Sequence, residues 1–232
     1  MDNKTAILII HGFLGNIDDN IFLEETLKKA KYDTYSFNLP GHEEYIKIKN
    51  ITRNDWIDFS YNEIQKLIND KYENIILIGH SLGGVIASII ASNSEYEKYI
   101  SKVVLIAPAI NYYGKSYVKR LYLRRLVRNI SFIFDKNKPN PENLKKRSLK
   151  AYFEFLKISK EYKDTILKIT QPLLFIQGNQ DKMMPIEYNK ELFEKIESEN
   201  KSFIEIKNGS HWLFLSDKKE ETSEKILSFI KQ

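Results

Sequence analysis

The chain contains 232 residues, of which 42% are hydrophobic, so it is long and apolar enough to bury one substantial core. Charged residues make up 29% and aromatic residues 12%, which excludes a disordered chain and favours a single globular domain over residues 1–232. There is no cysteine, which excludes disulfides, thiolate metal sites and a cysteine nucleophile, and the net charge of +5 is a weak clue to function.

The beginning of the chain and its hydropathy predict a cytoplasmic protein. The first apolar run, residues 5–10, ends at His11 and is too short for a secretory signal peptide. No other stretch approaches the roughly 18 consecutive apolar residues that a transmembrane helix needs.

Apolar stretches that end at glycine or in polar turns predict strands, and apolar residues at helical spacing predict helices between them. The predicted strands cover residues 5–10, 32–38, 74–78, 102–107, 172–177 and 201–206. The predicted helices cover residues 18–30, 52–72, 82–92, 187–197 and 217–230. This alternation predicts an α/β fold with a mostly parallel sheet of about six strands, covered by helices on both sides. A ligand site in such a sheet lies beyond the carboxyl ends of its strands.

A serine follows the third predicted strand and precedes a predicted helix. It is Ser81, in the G-x-S-x-G pentapeptide that runs from Gly79 to Gly83. A sharp strand-to-helix turn needs glycine two residues on either side of the serine, and it presents the hydroxyl at a helix N-terminus. Ser81 is therefore a candidate nucleophile, although a serine here could also simply cap the helix.

A base and an acid follow other predicted strands at the same edge of the sheet. His211 comes after the last strand, and a serine hydroxyl needs such an imidazole to take its proton. Asp181 comes after the fifth strand and could orient His211, whereas Asp164 and Asp217 fall in helical segments. A surface-loop histidine and an Asx-turn aspartate are the alternative interpretations. The order Ser81, Asp181, His211 is the one known for α/β-hydrolases.

Taken together, these motifs show that the chain resembles the bacterial carboxylesterases and monoacylglycerol lipases of the α/β-hydrolase superfamily. The resemblance covers nearly the whole length. The motifs that carry it are His11-Gly12-Phe13-Leu14-Gly15, Leu39-Pro40-Gly41-His42, the turn around Ser81, the segment from Asp181 to Pro185, and Gly209-Ser210-His211. The superfamily's usual first two strands have no counterpart in the sequence.

The resemblance implies further roles near the predicted catalytic residues. It makes the backbone N–H groups of Phe13 and Leu82 the oxyanion hole, where two donors would stabilise a tetrahedral intermediate. His11 is expected to hold its loop by hydrogen bonding, and His42 and His80 to line or brace the cleft. We expect neither a metal site nor a cofactor.

A basic insertion separates the two halves of the predicted sheet, at about residues 110–165. Residues 111–163 contain 15 Lys and Arg against 4 Asp and Glu. One predicted cap helix places Arg120, Arg124 and Arg128 opposite an apolar face made of Val118, Tyr122, Leu123, Leu126 and Ile130. A second helix, at about residues 141–159, is expected to form the floor for an acyl chain with Leu144, Leu149, Tyr152, Phe153, Phe155 and Leu156. Solvation, an anionic membrane surface and an acidic substrate all remain explanations for the basic face, while nucleic acid is not expected because no recognition motif accompanies it.

The leading functional hypothesis is hydrolysis of carboxylic esters through a covalent acyl-enzyme, by a carboxylesterase or by a lipase acting on monoacylglycerols or lysophospholipids. A thioesterase, an amidase acting on small amides, a C–C hydrolase or a haloperoxidase could use the same three residues. A non-catalytic protein that binds at membranes is the alternative from a different class. The sequence leaves the oligomeric state open.

Overall fold

The computed structural model describes residues 4–42, 50–110 and 149–232. Within these ranges six strands form one sheet, in the order β2-β1-β3-β4-β5-β6, and every neighbouring pair is parallel. The strands are β1 (Thr5–Ile10), β2 (Asp33–Phe37), β3 (Asn74–His80), β4 (Ile100–Ile106), β5 (Leu173–Gly178) and β6 (Lys201–Ile206). The predicted six-stranded parallel sheet is therefore confirmed.

Helices connect the strands on both sides of the sheet. They are α1 (Ile21–Lys29), α2 (Arg53–Asn69), α3 (Leu82–Ala91), α4 (Leu149–Glu161), α5 (Ile186–Glu194) and α6 (Lys219–Lys231). The predicted helix at residues 18–30 instead begins as a short 3-10 turn, Ile17–Asn20, before α1. The predicted helix at residues 52–72 begins one residue later, because Thr52 is the N-cap and forms a capping box with Asp55.

The central strands β1, β3, β4 and β5 separate two apolar cores, which explains their largely apolar sequences. In β1, Leu8 and Ile10 face the core that helices α2, α3 and α4 cover. Ile7 and Ile9 face the opposite core, covered by α1 and α6. With both faces buried, the sheet fixes the positions of the loops that follow its strands.

Helix α4 lies in the predicted cap insertion and packs against α2 and α3. Its buried Glu154 accepts a hydrogen bond from the Arg53 guanidinium at 3.0 Å, and the Lys157 ammonium contacts the same carboxylate at 2.6 Å. The predicted helix at residues 141–159 is thus confirmed only over its second half, since residues 111–148 lie outside the described ranges. The stripe of Arg120, Arg124 and Arg128 lies there too. None of the helices in the described ranges is long and apolar enough to cross a membrane.

Candidate active site

Ser81 lies at the sharp turn between β3 and α3. Its backbone has φ 53° and ψ −111°, a conformation that favours glycine, and its N–H donates to the carbonyl oxygen of Ile106 at 2.9 Å. Its side chain makes no capping hydrogen bond to α3, so the helix-cap interpretation is wrong. The residue is only 4% exposed, so the serine is buried at the turn and does not protrude from the surface.

Glycines on either side of Ser81 allow this turn because backbone atoms approach them closely. A Cβ added to Gly79 would lie 2.3 Å from the carbonyl oxygen of Gly83. A Cβ added to Gly83 would lie 2.1 Å from the carbonyl oxygen of Ile10. Both distances are far shorter than a van der Waals contact, which is the reason for the glycines in the pentapeptide.

His211 and Asp181 form a buried hydrogen-bonded pair after β6 and β5. His211 Nδ1 donates to Asp181 Oδ2 at 2.7 Å, and the two side chains are 3% and 0% exposed. The interpretation of His211 as a surface-loop histidine is therefore wrong. Asp181 Oδ1 accepts from the backbone N–H groups of Met183 at 2.7 Å and Met184 at 2.9 Å. Asp181 thus forms an Asx-type turn and also contacts His211.

The Asp181 carboxyl is an anion despite its burial. Burial by itself raises the pKa of this carboxyl, but the hydrogen bond and charge of His211 and the two backbone donors lower the pKa below its ordinary value. In a neutral imidazole, a carboxylate that accepts from Nδ1 fixes the tautomer that leaves Nε2 unprotonated. That Nε2 atom is buried and has no hydrogen-bond partner among the described residues.

His80 joins the serine turn to the histidine loop. Its Nε2 donates to the carbonyl oxygen of His211 at 2.9 Å, and the two rings lie 5.0 Å apart. Burial, together with the nearby His211, lowers the pKa of His80 to about 3, so this ring is neutral. His80 precedes Ser81 directly, so this hydrogen bond joins the Ser81 turn to the loop of His211.

The loop after β1 lies against the same turn. A Cβ on Gly12 would be 3.3 Å from Cβ of Ser81, and Phe13 is the next residue. Leu82 is the first residue of α3, where a backbone N–H has no acceptor within the helix. The two predicted oxyanion donors therefore belong to segments that flank Ser81.

His11 and His42 organise the loops that follow β1 and β2. His11 Nε2 accepts from the backbone N–H of Leu39 at 3.0 Å, and its Nδ1 donates to the carbonyl oxygen of Gly12 at 2.8 Å. Burial lowers the pKa of His11 to about 3 and that of His42 to about 4. The two rings lie 5.0 Å apart. The expected loop-holding role of His11 is confirmed.

Aromatic side chains from α2 and α4 pack against Phe13. Phe155 stacks on Phe13 with ring centroids 4.9 Å apart, and Tyr152 and Trp56 lie 6.2 Å and 5.9 Å away. Phe153 is 51% exposed, whereas Phe155 is buried, so the two side chains have different surroundings. Leu144 and the side chain of Leu149 are not among the parts of the chain that the structure describes.

Two amide residues behind Asp181 were missed by the sequence analysis. Gln177 Nε2 donates to Asp181 Oδ2 at 2.9 Å, and Asn189 Nδ2 donates to Gln177 Oε1 at 2.6 Å. The available signal was a polar residue at the end of an otherwise apolar strand. Across the described ranges, no group of three or more His, Asp or Glu residues could hold a metal ion.

A parallel sheet with a serine on a strained strand-to-helix turn, and a histidine and an aspartate at the same edge, defines a protein of the α/β-hydrolase class. Sequence comparison specifies the family. The chain belongs to the Hydrolase_4 family (serine aminopeptidase, S33), which matches residues 1–219.

Known esterases and lipases are among the proteins to which the chain is similar. "Putative esterase/lipase 2" of Mycoplasma genitalium is 30% identical over 107 residues, which cover 45% of this chain and 38% of that protein. The chain therefore spans less than half the length of this relative. The thermostable monoacylglycerol lipase of Bacillus sp. strain H-257 is 23% identical over 90% of this chain and 84% of that protein. A solved structure from work on the metagenome-derived lipolytic enzymes LipS and LipT has a TM-score of 0.80 at 19% identity, covering 99% of this chain and 94% of that one. This likeness shows the shared fold.

Proposed function

We propose that the protein is a serine hydrolase that cleaves carboxylic esters, with Ser81 as nucleophile, His211 as general base and Asp181 as the acid that orients it. The observation that carries the proposal is the 2.7 Å hydrogen bond between His211 and Asp181, both buried and braced by His80 beside the strained Ser81 turn. Family membership and the esterase and lipase names among the relatives support the same reaction class.

Each step of the proposed reaction uses a group of this chain. His211 Nε2 takes the proton of the Ser81 hydroxyl as the serine oxygen attacks the ester carbonyl carbon. The backbone N–H groups of Phe13 and Leu82 stabilise the resulting oxyanion. The C–O bond to the alcohol then breaks, and His211 gives its proton to the departing alcohol oxygen. Water, deprotonated by His211, attacks the acyl carbon and releases the carboxylic acid and the free serine.

The proposed substrate is an ester with an apolar acyl group. Buried Phe155 and half-buried Tyr152 of α4 pack on half-buried Phe13, the residue assigned to the oxyanion hole, so this residue lies on an aromatic surface. Such a surface favours a hydrocarbon chain or an aromatic ring by burying it from water. The monoacylglycerol lipase among the relatives acts on an ester of this kind.

The experiment that tests the proposal is turnover of a graded series of p-nitrophenyl esters, from acetate to palmitate, with an anilide and a thioester of matched acyl group. We expect turnover of the esters, with Ser81→Ala reduced by roughly 10³-fold or more. A chain that cleaves only the anilide supports the aminopeptidase activity named in the family description. A wild-type protein inactive on the whole panel contradicts the ester proposal.

We further propose that the basic stripe of Arg120, Arg124 and Arg128, inferred from sequence spacing, brings the enzyme to anionic lipid surfaces. Each basic group near such a surface contributes about 1 kcal/mol, so replacing all three with glutamine lowers binding by about 100-fold. Partition onto vesicles of anionic and of neutral lipid at low salt measures this effect. Equal partition of the triple variant and wild type contradicts membrane attraction. Loss of turnover confined to soluble anionic esters indicates an acidic substrate instead.

A further inference from the structure

Gln177 and Asn189 form a buried amide pair directly behind Asp181. Both residues are 0% exposed. Asn189 lies in α5 and donates to the side-chain oxygen of Gln177, which ends the apolar stretch of β5. The Gln177 amide nitrogen donates onward to Asp181 Oδ2 at 2.9 Å and to the carbonyl oxygen of Met184 at 3.1 Å. The hydrogen bonds received from Asn189 and given to Met184 fix which way the amide points.

The Asp181 oxygen that accepts a hydrogen bond from Gln177 also accepts the one from His211. Asp181 Oδ2 accepts from His211 Nδ1 at 2.7 Å and from Gln177 at 2.9 Å, while Oδ1 accepts from two backbone N–H groups. A carboxylate has about four acceptor positions, so these four donors occupy all of them and hold the Asp181 carboxylate in one orientation. Donors to the ionised form also favour the anion.

We propose that Gln177 is a positioning residue, which holds the Asp181 carboxylate in the orientation that orders His211, and that Asn189 sets the orientation of the Gln177 amide. The inference rests on the proposed function, because it assigns the pair to the same site. Through Asn189 the hydrogen-bonded path also ties helix α5 to the candidate active site.

The test compares Gln177→Met with Gln180→Met. Methionine keeps the length of glutamine and removes the donor. Gln180 carries an exposed amide in the loop after β5, bonded to Asn208 at 3.2 Å. We expect Gln177→Met to lower kcat by about 10- to 100-fold, because a hydrogen bond to a charged group is lost, and to leave KM within about twofold. We expect Gln180→Met to retain wild-type kcat. Circular dichroism confirms that each variant is folded.

Gln177→Glu keeps the shape of the side chain and adds a pH-dependent readout. A protonated glutamic acid can still donate to Asp181, whereas the ionised form can only repel it. The other titratable groups around this position are His211, His80 and Glu205, the last paired with Gln177 in the sheet and bonded to Lys190. These groups are the same in the variant and in wild type, so their titration affects both activities. The added carboxyl ionises only in the variant, so the activity of Gln177→Glu relative to that of wild type should fall as pH rises. A constant ratio overturns the inference.

Two readouts separate failure of this inference from failure of the proposed function. If a fluorophosphonate labels wild type, equal labelling rates for wild type and Gln177→Met overturn the inference and leave the function intact. If wild type is not labelled, the function fails, and proton NMR of the His211 Nδ1–H still tests the positioning role. We expect this resonance to shift in Gln177→Met and to stay unchanged in Gln180→Met. An unchanged resonance in Gln177→Met overturns the inference.

Discussion

The strained backbone of Ser81 predicts that glycine at this position stabilises the protein. With φ 53° and ψ −111°, the residue occupies a region that costs a non-glycine residue about 1–3 kcal/mol. Glycine removes this strain, but it also increases the conformational entropy of the unfolded chain, which lowers the free energy of unfolding by about 0.4–1 kcal/mol. We therefore expect Ser81→Gly to raise the free energy of unfolding by about 1 kcal/mol over Ser81→Ala, with a Tm about 2–4 °C higher.

Urea unfolding followed by circular dichroism measures this difference. Ser81→Ala is the matched control, since both variants lack the hydroxyl and only the alanine keeps a Cβ in the strained turn. We expect both variants to be inactive on esters and to unfold with equal dependence on urea concentration. An alanine variant that is as stable as the glycine variant, or more stable, would refute the claim that the turn stores side-chain strain.

Three further predictions concern the residues around this turn. Gly83→Ala, whose Cβ would lie 2.1 Å from a carbonyl oxygen of β1, should lower the free energy of unfolding by about 1–3 kcal/mol, and an unchanged urea midpoint contradicts the close approach. Asp181→Asn should keep the fold and lower kcat by about 10⁴-fold, because His211 loses its tautomer control, and ester turnover within about tenfold of wild type contradicts that role. His11 and His80 have pKa values lowered from 6.5 to about 3 by burial, so their contribution to stability is complete above pH 6.5 and is lost as pH falls. Below pH 6.5, each histidine should lower the free energy of unfolding by about 1.4 kcal/mol per pH unit. A free energy of unfolding that does not change between pH 7 and pH 5 contradicts this prediction.

The parallel sheet could be predicted from sequence because its central strands β1, β3, β4 and β5 are largely buried on both faces. Runs such as residues 75–78 are continuously apolar, and this pattern is typical of strands in a parallel sheet covered by helices. The ends of elements were predicted less well. Strand β3 continues through Gly79 and His80, because glycine here allows a close backbone approach to α3 and does not end the strand.

The positions of the candidate catalytic residues followed from the same rule. The carboxyl ends of parallel strands meet at one edge, so serine, aspartate and histidine after three different strands had to lie near one another. Their supporting contacts could not be predicted. The hydrogen bond from Gln177 to Asp181 and that from His80 to the carbonyl of His211 depend on side-chain conformations and strand register, which residue spacing does not specify.

The central claim is that Ser81 becomes covalently attached to the substrate, and peptide mapping after reaction with a fluorophosphonate tests it most directly. We predict one phosphonyl group on the peptide that contains Ser81, at a rate that falls steeply in His211→Ala, and no modification of Ser81→Ala. A phosphonyl group on another residue, or an unlabelled wild-type chain that still hydrolyses esters, would contradict it.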